Sequence, residues 1–101
     1  MKIYNVFSLK KDKDGGFISD IIDAGDARNI PDLDRFIRNL SDYKFGYSLT
    51  DPGSDKLIQV QVYDEEKPGP SVVVKQKWFH DVYYEDHPEE YKTLEEKRGM
   101  L

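Results

Sequence analysis

At 101 residues the chain has the size of one domain, able to bury roughly two thirds of the surface its unfolded form exposes without staples. Cysteine is absent, which excludes a disulfide framework, a thiolate zinc site and a cysteine nucleophile. Twenty acidic residues against fifteen basic ones leave a net charge of −5, a field that repels phosphate backbones and argues against direct nucleic-acid binding.

The opening stretch Met1–Lys10 has too short an apolar run for a signal peptide, and nothing later approaches the length of a membrane span. The expectation is a single soluble domain over 1–101, cytoplasmic and with no membrane partner. Aromatic residues make up 13% of the chain, more than a disordered segment carries, so a packed domain is expected with some Tyr left for a surface.

Lys2 to Leu9 alternates Ile3, Asn5, Phe7 and Leu9 against Tyr4, Val6 and Ser8, a strand apolar on both faces as in the middle of a sheet. Lys10–Gly16 is a turn, with Asp14-Gly15 supplying residues that tolerate positive φ. Phe17 to Ala24 resumes the alternation and closes a hairpin. Asp20 and Asp23 within it mark an edge protected by charge. After a connection over Gly25–Asn29, Pro31 suits the first turn of a helix, with Asp32 and Asp34 favoured there by the helix dipole. Leu33, Phe36, Ile37 and Leu40 fall at i, i+3, i+4 and i+7, one apolar stripe over Pro31–Ser41. Asp34 and Arg38 stand at ion-pair spacing on its outer side.

Lys44 to Thr50 reads as a further strand, and Asp51–Asp55 as a Pro-Gly turn. Ile58 to Tyr63 alternates with one wet face. Ser71 to Tyr84 is β-branched and aromatic throughout and longer than an average strand, which predicts a bulge or bend within it. Between the two, Pro68-Gly69-Pro70 cannot continue a ladder, so they form a long hairpin. A short C-terminal helix is expected to start at Pro88, capped by Asp86 or His87, with Glu89 and Glu90 in its first turn.

The order β-β-α-β-β-β-α implies an α+β fold: about five mostly antiparallel strands, the Pro31 helix packed on one face and a short helix at the end. So narrow a cover leaves the other face wet or open to a partner.

Chemical signatures are scarce. No Gly-x-Ser-x-Gly elbow and no phosphate loop is present, and the paired acids read as solvated, so no enzyme, cofactor or catalytic residue is expected. His80 with Asp81 offers at most a minor metal-dependent alternative. Two constellations remain. Trp78, Phe79, Tyr83 and Tyr84 crowd one predicted strand, where adjacent residues point to opposite faces and cannot all enter one core. Exposed rings of this kind anchor interfaces. Glu85, Asp86, Glu89 and Glu90 come after them in the chain and would steer a protein partner with a basic surface. A protein imitating the charge of nucleic acid, such as an inhibitor or accessory protein of a phage or mobile element, would carry such a stripe. The competing expectation is a homo-oligomer, pairing two copies through the sheet.

Overall fold

The computed structural model describes residues 1–40, 55–67, 69–86 and 88. Four strands, β1 (Lys2–Lys11), β2 (Phe17–Asp26), β3 (Leu57–Asp64) and β4 (Val72–Trp78), form one sheet in the order β2-β1-β3-β4, every neighbouring pair antiparallel. Two helices, α1 (Leu33–Asn39) and α2 (Phe79–Asp86), complete the described α+β fold. The strand expected over Lys44–Thr50 lies outside the described residues, as do His87, Glu89 and Glu90.

Hydrophobic alternation sets the register. Tyr4, Val6 and Ser8 of β1 are buried and stand opposite Val62, Val60 and Ile58 of β3. That face carries both helices: Leu33 and Ile37 from α1 and Phe79 and Val82 from α2 close the core over Val6, Ile58 and Val60. β1 is central, as its two apolar faces predict. At the β1–β2 hairpin the Asp12 N–H donates to the Gly16 carbonyl at 2.7 Å, and Gly15 takes a φ of +87°. That conformation is nearly free of steric cost only for glycine.

Both edge strands are bulged. Val6 pairs with Asp23 but Phe7 with Ile21, which leaves Ile22 as the extra residue of β2. Val60 pairs with Lys75 but Gln61 with Val73, which leaves Val74 as the extra residue of β4. The second of these is the irregularity that the length of the Ser71–Tyr84 segment implies.

Three expectations are corrected. The apolar segment does not run as a strand to Tyr84: β4 ends at Trp78 and the chain turns into α2 at Phe79. The reversal is held from a distance, because the Phe79 N–H donates to the Lys56 carbonyl at 2.9 Å and the His80 N–H to the Asp55 carboxylate at 3.1 Å. A capping carboxylate of this kind satisfies one of the orphan donors of a helix start. The last described helix therefore begins nine positions before Pro88; Pro88 is itself helical, and the residues expected to carry the helix onward from it lie outside the described residues. At α1, Pro31 precedes the helix and Asp32 is the cap, its carboxylate accepting the Arg35 N–H at 3.2 Å.

Candidate interaction surface

The strand-to-helix switch redistributes the rings expected on one ribbon. Phe79 is wholly buried and Tyr84 is buried too, so neither anchors a partner. Tyr83 is half-buried and meets Tyr84 edge-on, ring centroids 5.2 Å apart. Trp78 alone of the four stays exposed, at 41%. One peptide bond divides an outer ring from a core ring, because the helix turns Phe79 under the sheet while Trp78 keeps its strand position opposite Leu57.

The acids behave differently from a free stripe. Glu85 receives the Arg38 guanidinium at 3.1 Å and the Lys77 ammonium at 2.9 Å, and Asp86 receives Arg38 at 2.9 Å. Lys77 also reaches Asp34 at 2.9 Å. Hydrogen bonds to the Asp34 carboxylate foremost, and to that of Glu85, raise the Lys77 pKa. Asp34 and Arg38, expected to pair with each other along the helix, thus reach outward and tie α1 to β4 and α2. Exposed pairs of this kind contribute up to about 1 kcal/mol each, more when networked and bidentate. Glu85 and Asp86 serve first as clamps of the helical layer.

His80 and Asp81 differ in burial. The His80 ring is fully buried, edge-on to Phe79 and Tyr84, with its Nδ1 3.6 Å from the Asp55 carboxylate. Asp81, one residue along the helix, is only half-buried. Among the described residues no three metal-ligating side chains cluster. A groove of about 460 Å³ beside the β3–β4 connection is lined by Lys2, Val62, Lys67, Pro70, Val72 and Val74. Tyr63 and Asp64 line it as well, so it offers ammonium groups and a carboxylate beside aliphatic carbon.

The surface that gathers exposed apolar carbon is the sheet face opposite the helices, the face expected to be left wet or open to a partner. Register and alternation place Phe7, Leu9, Phe17, Ile21, Leu57 and Trp78 there, in adjacent rows across all four strands. Phe17 and Ile21 are 61% and 62% exposed. Beside this band lies an amide ladder: the Gln61 amide donates to Gln59 at 2.7 Å and the Gln59 amide to Gln76 at 3.0 Å. Among the described residues charge reaches this face only at two of its corners, Lys11 and Asp26. Asp26 is bound by Arg28 at 2.6 Å, and that hydrogen bonding holds its carboxyl down to about 2. The signal is present in the odd-numbered residues of the first strand, but which side the helices cover decides whether such a face is core or surface. Comparison of the chain with protein-family models, with curated proteins and with solved structures yields no match.

Proposed function

We propose that the chain is a non-enzymatic protein-binding module whose contact surface is the open sheet face, with Trp78, Ile21 and Phe17 as its anchors. The observation that carries this reading is the continuous apolar band on the side away from both helices. Soluble domains rarely leave such a band uncovered unless something docks on it. Aromatic anchors surrounded by amides and aliphatic side chains make the core-and-rim composition of a protein interface. The helical layer, with Glu85 and Asp86 engaged by Arg38 and Lys77, supports the sheet from behind. An inhibitor or accessory protein would use the surface in this way, as would a subunit of a larger assembly.

Photo-cross-linking from two neighbouring positions tests the reading. Ile21 lies on the open face, and Ile18 on the same strand faces the covered side although it is also exposed. A benzoylphenylalanine at position 21 should capture a protein in the native cell, and one at position 18 should not. Equal capture from both positions, or none from position 21, removes the open face as the contact surface.

A further inference from the structure

We propose that the occupant of the open face is a second copy of this chain, stacked sheet on sheet about a two-fold axis running along the strands; this rests on the reading that the face binds protein. Charge narrows the choice first. Each copy carries −5, so contact through most of its surface sets like charge against like charge. The open face is the exception: its described residues are uncharged between the Lys11 and Asp26 corners. A hetero-partner recognised by electrostatics would need a charged counterpart, which this face does not present. Two identical neutral faces meet without that penalty.

Extent is the second argument. Four strands ~4.8 Å apart and roughly eight residues long at ~3.3 Å each span about 500 Å² per copy. Two copies then cover about 1,000 Å², the lower bound for a specific interface.

The arrangement of the band is the third. Its bulky groups stand at opposite edges, Phe17 and Ile21 on β2 and Trp78 on β4, with Phe7, Leu9 and Leu57 between. An axis along the strands reverses strand order and keeps the apolar end over the apolar end. It therefore lays Ile21 and Phe17 of one copy against Trp78 of the other. The cost of desolvating the middle of the face is reduced, because Gln59, Gln61 and Gln76 already bond to one another. Lateral pairing through the edges is disfavoured by the bulges at Ile22 and Val74 and by Asp20, Asp23 and Lys75. Stacking, at the roughly 10 Å spacing of packed sheets, avoids both edges.

Sedimentation of the purified full chain over a wide concentration range, joined with cross-linking from position 21, tests the pairing. The expected result is a reversible species of twice the 11.8 kDa chain mass, with cross-links from position 21 to the β4 strand of the other copy. Ile21→Lys and Trp78→Ala should each move the dissociation midpoint at least about tenfold towards higher concentration. Ile18→Lys, at a site equally exposed but on the covered side, should leave it in place. A chain that remains at 11.8 kDa throughout overturns the pairing, and so does dissociation by Ile18→Lys as strong as by Ile21→Lys. Failure of the pairing alone leaves position 21 capturing some other protein in the cell; capture of nothing there removes the protein-binding reading with it.

Discussion

The Asp55 carboxylate accepts the backbone N–H of His80 at 3.1 Å across 25 positions of chain, and the N–H of its own neighbour Lys56 at 2.8 Å. A single buried side chain thus starts α2 and holds the end of the β3 approach to it. Asp55→Ala should cost about 1–2 kcal/mol, the usual loss of a helix cap, and Asp55→Asn should recover most of that. Urea denaturation measures the cost, and amide exchange at Phe79 and His80 should accelerate in the Ala variant. Unchanged exchange there would show that the turn is held without the carboxylate.

Trp78 and Phe79 are neighbours with opposite duties. Phe79→Ala opens a cavity in a fully buried site and should cost about 3–5 kcal/mol. Trp78→Ala, half out of the protein, should cost about 1 kcal/mol or less of folding stability and act mainly on association. Denaturation midpoints of the two variants, measured side by side, separate a core ring from a docking ring.

Gly25 lies beneath Tyr4: a β-carbon there would stand 2.9 Å from Tyr4 Cε1 and 3.0 Å from its hydroxyl. The ring cannot move freely, since its hydroxyl donates to Asp23 at 3.1 Å. Gly25→Ala should therefore destabilise by about 1–3 kcal/mol through overpacking. A Tyr4→Val background should absorb most of this penalty, a non-additivity that a double-mutant cycle reads directly.

Alkaline pH should loosen the fold through two groups. Burial, then the bond to Asp23 and its charge, raises the Tyr4 phenol above its ordinary 10.0, and the carboxylates of Asp34 and Glu85 raise the Lys77 ammonium above 10.5. In the folded chain both keep protons that the unfolded chain has already released. Their contribution is whole below the unfolded values and declines as pH climbs past about 10 towards the folded ones. Urea midpoints should accordingly fall between about pH 9 and about pH 11, and less steeply in Tyr4→Phe. An identical slope in that variant would take Tyr4 out of the account.

Much of the fold is legible in residue order because the relevant forces are local or periodic. Leu33, Phe36, Ile37 and Leu40 can share a face only on a helix, and Ile58, Val60 and Val62 only on a strand. Asp14-Gly15 announces its turn by backbone sterics alone. Phe79–Asp86 misleads for an equally physical reason. Its β-branched and aromatic residues favour extension, and the groups that override them, Asp55 and the Lys56 carbonyl, are remote in sequence. The consequence extends to the surface: Phe79 and Tyr84 belong to the core, whereas Phe17 and Ile21, ordinary strand residues by pattern, stand outside it. Trp78 is where pattern and structure agree on an exposed ring.

That tryptophan is the only one in the chain, and one peptide bond ties it to a fully buried ring of the core. Its emission is thus a gauge with two directions. A second sheet laid over the indole strips away water and shifts the light towards the blue, whereas release of α2 wets it and shifts the light towards the red. Assembly and fraying can be followed in one cuvette, without a label, through a fluorophore already built into the protein.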